Sequence, residues 1–363
     1  MLRYTLAALL LLFSSIRVEA SCACSPVVIP VHVNVLVPKD PMDPFAGLKS
    51  NASELRRVED TYDVYGVFCQ PNSTEKTKNS DVLQLLVHGF SYTSQYWSPP
   101  VEEFRNYSYA AFSCAQGPYS SLAVDVLGAG LSSRPANSSD VQFPTASAIL
   151  SQLARLLKTT NSILPGAQTF KTIIGVGHSA GSSLLTFGTI VDGHQSPFHG
   201  LILTSSLSKL NASSIPPVTA SARDVDPLRW ASLDPGYLSV GDHNIFYPTD
   251  PTSFSPRMVL LDDLIADVAA VSIFVQTGTE ALTSGYTGPV AKIVGSADQI
   301  FCVGIGGCAN VTGLTATEGA LWPAAKSFEF LVVQGSGHDL NLDFFAAGTF
   351  NTFVRLVKQF SGL

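Results

Sequence analysis

The sequence predicts an α/β protein: a mostly parallel eight-stranded sheet flanked by helices, with one long insertion after the sixth strand. Three observations predict it. Short β-rich runs alternate with helical patterns along most of the chain. One strand-like run, Thr172 to Val176, leads directly into Gly177-His178-Ser179-Ala180-Gly181 and then into a helix-like segment from Ser182 to Ile190. The alternation fails between about Ser205 and Gly288, where Pro, Asp and Ser accumulate.

The elements follow in order. Val31 to Val37 and Tyr62 to Cys69 alternate at period two and read as half-exposed strands. Val82 to Val87 is almost unbroken apolar sequence, as a central buried strand should be. Leu122 to Leu127, Thr172 to Val176, Leu201 to Thr204, Val290 to Val294 and Phe328 to Val333 complete the eight. Pro144 to Thr159 carries Ile149, Leu150, Leu153, Leu156 and Leu157 on one helical stripe, and its proline stands where a helix tolerates one. A last amphipathic helix is expected over about Leu342 to Phe360. Residues 205–288 hold helical pieces such as Leu260 to Val271 and read as a cap inserted into a core of 21–204 and 289–363. The aromatics Trp230, Tyr237, Phe246 and Tyr247 either line a pocket there or form the insertion's own core.

Residues 1–20 read as a cleaved signal peptide. Arg3 precedes an apolar stretch from Leu6 to Phe13, and Val18-Glu19-Ala20 offers small residues for cleavage. That stretch is shorter than the roughly 18 apolar residues a membrane helix needs, and no later segment reaches them. A secreted protein, or one of the secretory-pathway lumen, is expected. Sequons at Asn51, Asn72, Asn106, Asn137, Asn211 and Asn310 suit a glycoprotein. The six cysteines, Cys22, Cys24, Cys69, Cys114, Cys302 and Cys308, suit disulfides in an oxidising compartment. Cys302 with Cys308 closes a short glycine-rich loop and is the favoured pair; Cys69 with Cys114 is the second. No histidine accompanies these cysteines at metal-ligand spacing, and His194 and His199 read as loop residues. A net charge of −7 excludes the basic face that nucleic acid requires.

The candidate chemistry lies at strand ends. Glycines on both sides of Ser179 allow the sharp turn that lifts a serine hydroxyl above a sheet. His88-Gly89-Phe90 closes the third strand, and the amides of Phe90 and Ala180 are the candidate oxyanion donors, with His88 bracing the loop. Asp125 to Pro135 forms a glycine-rich loop in which Asp125 and Arg134 are expected to pair. Asp298 follows the seventh strand and His338 the eighth. In a parallel sheet all these carboxyl ends open on one edge, so topology assembles them. A serine is a poor nucleophile until a neutral imidazole takes its proton, and a carboxylate fixes that imidazole's tautomer. Asp339 and Asp343 are the alternative acids. His178 reads as a pocket residue, and Ser182 and Ser183 as packing or lid-facing residues.

At this point the chain resembles the α/β-hydrolase family, whose order is nucleophile, acid, histidine. His88-Gly89, the loop from Asp125 to Pro135, the Ser179 elbow, Asp298 and His338 carry the resemblance, in that order. It covers essentially the whole mature chain and looks closest to the lidded, epoxide-hydrolase-like branch. That branch's epoxide and haloalkane enzymes bear aspartate at the elbow; this chain bears Ser179. The resemblance therefore implies a serine hydrolase for a carboxylic ester, lactone or related acyl bond, on a small to medium apolar substrate, with no cofactor or metal. Its alternatives are a biosynthetic enzyme performing cyclisation, elimination or C–C cleavage on the same fold, and a non-catalytic ligand-binding protein.

Overall fold

The computed structural model describes residues 22–43, 54–72, 81–117, 119–166, 168–208, 219–274, 283–302 and 308–363. Residues 1–20, expected from the sequence to be a signal peptide, lie outside the described residues, as do Asn51, Asn211 and parts of the segment 205–288.

Eight strands form one sheet in the order β1-β2-β4-β3-β5-β6-β10-β11. They are β1 (Cys22–Pro38), β2 (Leu55–Pro71), β3 (Val82–Val87), β4 (Ser120–Val124), β5 (Thr172–His178), β6 (Gly200–Thr204), β10 (Val290–Gly295) and β11 (Phe328–Val333). Between β6 and β10, β7 (Thr219–Ser221), β8 (Tyr237–Val240) and β9 (Ala269–Ala270) make a small antiparallel sheet. The helices are α1 (Tyr109–Gln116), α2 (Phe143–Thr159), α3 (Ala180–Asp192), α4 (Ala222–Val225), α5 (Pro227–Trp230), α6 (Pro256–Ile265), α7 (Val271–Phe274), α8 (Val311–Gly319) and α9 (Ala346–Ser361). None of the described helices is long and apolar enough to cross a membrane.

The ladder is parallel from β4 to β11, and antiparallel where β1 meets β2 and β2 meets β4. All six residues of β3 are buried, consistent with a strand covered on both faces. Its one polar residue, Gln84, has a partner on each end of its amide: Nε2 donates to Ser113 Oγ (2.6 Å) and Oε1 accepts from the Tyr109 hydroxyl. On α2 the buried face includes Ile149, Leu150, Leu153 and Leu157, the stripe expected from spacing.

Three expectations need correction. The first two strands run far beyond their alternating segments, each reaching 17 residues, because two long antiparallel strands satisfy one another's backbone without burying both faces. The fourth strand ends at Val124, not Leu127, because the Asp125 carboxylate turns away to bind loop amides. The third concerns the disulfides. Cys302 pairs with Cys308, but Cys69 pairs with Cys24 and Cys114 with Cys22. The β1–β2 register sets Cys24 opposite Cys69. Cys22, two residues earlier and on the same face, is left to reach Cys114 on α1.

Candidate active site

Ser179 joins the end of β5 to the start of α3 with φ 50° and ψ −117°. A non-glycine residue holds such a backbone only when its surroundings over-determine it. They do so here. The Ser179 N–H donates to Thr204 O (2.9 Å), Ser182 Oγ donates to the same carbonyl (2.9 Å), and Thr204 Oγ1 donates to Gly177 O (2.9 Å). The end of β6 thus grips the turn from both sides. A methyl at Gly177 would stand 2.6 Å from the Ser182 backbone, and one at Gly181 2.4 Å from the carbonyl oxygens of Val87 and His88. The flanking glycines are therefore a steric requirement. Ser179 is half-buried, and Ala180 behind it opens α3, where N–H groups lack intrahelical acceptors.

The loop after β3 lies against this turn: a methyl at Gly89 would be 3.1 Å from Ser179 Cβ. His88 donates from Nδ1 to Gly89 O (2.8 Å) and accepts at Nε2 from the Val126 N–H (2.9 Å). A peptide N–H can only donate, so these partners fix the Nδ1–H tautomer. Burial lowers the pKa of His88, more than the facing Asp125 raises it. The loop it braces presents Phe90, and the next residue, Ser91, has φ 61°.

Asp125 does not pair with Arg134. Its carboxylate accepts from the amides of Ser94 (2.7 Å) and Leu131 (2.9 Å). Arg134 instead binds Asp267 of the insertion at 2.9 Å and donates to Gly128 O at 2.9 Å. A carboxylate facing loop amides is already served by donors, which leaves the guanidinium for a partner across the chain.

Asp298 and His338 meet where β10 and β11 end. Asp298 Oδ2 lies 2.9 Å from His338 Nδ1, while Oδ1 accepts from the amides of Ile300 (2.8 Å) and Phe301 (3.0 Å). Burial pushes the Asp298 carboxyl up, but the His338 imidazole and the two amides outweigh it and hold the pKa below the usual carboxylate range. For His338 burial acts downward, and the Asp298 charge and hydrogen bond, helped by Asp339, raise the pKa above its usual value. The His338 ring sits 5.3 Å from that of Phe246, 5.8 Å from Phe301 and 5.0 Å from His178, the residue before Ser179. Among the described residues no hydrogen bond joins Ser179 Oγ to His338.

The alternative acids face elsewhere. Asp343 accepts from the amides of Gly337 (3.1 Å) and Phe345 (2.9 Å). Asp339 meets His178 Nε2 (3.1 Å) and the Tyr92 hydroxyl (2.6 Å). Burial drives the His178 pKa well down, and His338 adds to it. Ser182 is spent on Thr204, and Ser183 Oγ contacts Ser206 Oγ at 3.3 Å. Of the aromatics in the insertion, Phe246 and Tyr247 face the histidine loop, where the Asp339 N–H donates to Phe246 O (3.0 Å). Tyr237 donates to Pro135 O (2.6 Å), and Trp230 is buried beneath the Arg229 guanidinium.

Sequence reasoning missed four supporting residues. Thr204 clamps the elbow, and Ser205 Oγ donates to His338 O (2.5 Å) from a backbone with φ 48°. Their position at the carboxyl end of β6 was the available signal. Tyr92 and Asp262 meet at 3.0 Å from positions 170 residues apart, and no spacing announces them.

The sequence profile of the alpha/beta hydrolase family matches residues 84–347, from β3 into α9. No curated protein matches the sequence. Among solved structures, a thermophilic esterase from Thermogutta terrifontis aligns with a TM-score of 0.52 at 13% identity, over 91% of this chain and 99% of its own. A monoglyceride lipase from Saccharomyces cerevisiae gives 0.54 at 15% identity, covering 83% of this chain and 93% of its own. An esterase from Exiguobacterium antarcticum gives 0.51 at 16% identity, covering 82% and 96%. At such identities the structures speak for the fold alone, whereas the profile spans most of the chain and all the strand-end motifs. The protein is a member of the alpha/beta hydrolase family.

Proposed function

We propose that the protein is a secreted serine hydrolase that cleaves a carboxylic ester, lactone or related acyl bond through an acyl-serine intermediate. The observation that carries this reading is the pairing of a strained serine turn with a buried Asp298–His338 couple on the same sheet edge. Ser179 Oγ attacks the acyl carbon as His338 Nε2 takes its proton. Asp298 holds Nδ1–H and stabilises the imidazolium. The oxyanion is received by the amides of Ala180 and Phe90. The imidazolium then protonates the departing alkoxide, and a water activated by His338 releases the acid from Ser179.

Residues 205–288 act as a cap that shapes the acyl pocket; the packing of Phe246 beside His338 supports this. The names of the esterase and monoglyceride lipase neighbours are in keeping with an ester substrate. Secretion is supported by the three disulfides, and glycosylation by the exposure of Asn72, Asn106, Asn137 and Asn310.

A fluorophosphonate probe tests the chemistry. Intact-mass measurement should show one adduct on the folded protein and none on Ser179→Ala. A folded protein that takes no adduct, or a variant that still takes one, would sink the assignment.

A further inference from the structure

A second buried polar chain starts at Asp339, the residue after His338. The Tyr92 hydroxyl oxygen is 2.6 Å from Asp339 Oδ2 and 3.0 Å from Asp262 Oδ2, and the Tyr247 hydroxyl is 3.1 Å from the same Asp262 oxygen. Asp339 Oδ1 continues the chain to His178 Nε2 at 3.1 Å. Asp262 and Asp339 are both about 99% or more buried, with exposures of 1% and 0%.

Counting hydrogens shows what this arrangement needs. A phenol carries one hydrogen. If Tyr92 gives it to Asp339 along the shorter contact, the 3.0 Å contact to Asp262 is attractive only when Asp262 supplies a hydrogen of its own. Tyr247 can then donate to the same Asp262 hydroxyl oxygen. The remaining oxygen, Asp262 Oδ1, is buried and has no partner, which is tolerable for a neutral carbonyl and costly for half of a carboxylate. Asp339, by contrast, has partners on both oxygens.

We propose that Asp262 is a positioning residue held as a neutral carboxylic acid, whose one proton latches the insertion onto the loop bearing His338. Asp262 lies on α6 and Tyr247 just before it, both within the insertion; Asp339 directly follows His338. The proton therefore joins the insertion to the histidine loop through side chains, beside the backbone bond from the Asp339 N–H to Phe246 O. When it leaves, two carboxylates face one phenol, and their repulsion acts to part the insertion from the histidine loop.

The charged and titratable surroundings agree. Tyr92 and Tyr96 face Asp262 from the segment after β3, Tyr247 and His243 from the insertion, and Asp339 from the histidine loop. His178 and His338 stand behind Asp339, and Asp263 is occupied by His243 at 2.9 Å. Burial, with Asp339 adding to it and His243 opposing, pushes the Asp262 pKa up to about 8; Asp339 is pushed to about 6. The lower value of Asp339 leaves the proton on Asp262.

The test uses the full mature protein and needs no turnover. Asn is shaped like the protonated acid, and with Nδ2 in the place of Oδ2 it can donate one hydrogen to the Tyr92 hydroxyl and the other to that of Tyr247. Infrared spectroscopy at pH 7 should show the stretch of a buried protonated carboxyl, lost in Asp262→Asn. The raised pKa makes the Asp262 contribution to stability complete below the unfolded carboxylate pKa and lost as pH rises through about 8. The thermal midpoint of Asp262→Asn should therefore fall less across that window than that of the natural protein. Absence of the band, or an Asp262→Asn variant that fails to fold or is destabilised at every pH, would overturn the proposal, since only an ionised Asp262 would be missed by an amide. The coupling to His338 rests on the proposed hydrolase chemistry and has its own readout. Probe labelling of Ser179 should decline above about pH 8 in the natural protein and not in Asp262→Asn. The band with no labelling at any pH would fault the hydrolase reading alone; the band with labelling whose decline survives in Asp262→Asn would overturn the latch.

Discussion

Asp298 and Asp262 are two fully buried aspartates, one bonded to His338 and the other linked through Tyr92 to the adjacent Asp339, and their carboxyls shift in opposite directions. Burial penalises the charge of both. What differs is the supply of donors. Asp298 receives a histidine and two backbone amides that can do nothing but donate. Asp262 receives phenols, one of them already committed to a second carboxyl, and leaves one oxygen unpartnered. The lesson is that burial alone does not decide whether an aspartate is a base-orienting anion or a neutral acid; the count of obligate donors does.

The largest expected effect comes from erasing the anion. Asp298→Asn should lower kcat by about 10⁴-fold, because an amide cannot hold the Nδ1–H tautomer or stabilise the imidazolium. Asp339→Asn should lower it far less, since that carboxyl touches His178 and Tyr92 instead of His338 Nδ1. Equal losses in steady-state assays of an ester substrate would end the distinction between the two carboxyls.

The next effect is on pH. In the proposed mechanism His338 must be neutral to accept the serine proton, and its pKa is raised by Asp298. The acid limb of kcat/KM should therefore lie above the ordinary histidine value of about 6.5, and activity should rise as pH climbs through it. NMR titration of His338 in Asp298→Asn should show that pKa moving down. A pKa unchanged by the substitution would break the link between the carboxylate and the base.

The smallest effect on activity, and a control far from both aspartates, is the hairpin staple. Replacing Cys22 and Cys114 with serine should cost about 2–4 kcal/mol of stability, read by denaturant unfolding, while leaving the pH profile in place. The pair ties β1 to α1 across 92 residues of sequence and touches neither carboxylate. A displaced pH profile in that variant would mean that the hairpin, too, positions the site.

Much of this was legible in the chain. The apolar run from Val82 to Val87, the glycines around Ser179, and the residues closing the seventh and eighth strands are local signals, because strand burial and tight turns constrain sequence within a few positions. Asp298 was separable from Asp339 because a residue directly after His338 on an extended loop points away from its ring; Asp298 meets His338 Nδ1 and Asp339 meets His178. The cysteine pairing was less legible, since the partner of Cys69 depends on a register between strands that begin 33 residues apart.

By itself, then, the sequence determined the order of the sheet strands, the serine turn, and the strand ends at which Ser179, Asp298 and His338 stand. Only the tertiary structure decided the Cys24–Cys69 and Cys22–Cys114 bridges, the turn of Arg134 to Asp267, the grip of Thr204 and Ser205 on elbow and histidine, and the meeting of Tyr92 with Asp262 and Asp339. The physical reason is range. Periodicity and turn chemistry act between near neighbours, whereas a buried polar group takes whichever donor the packed chain brings within about 3 Å, from however far along the sequence it comes.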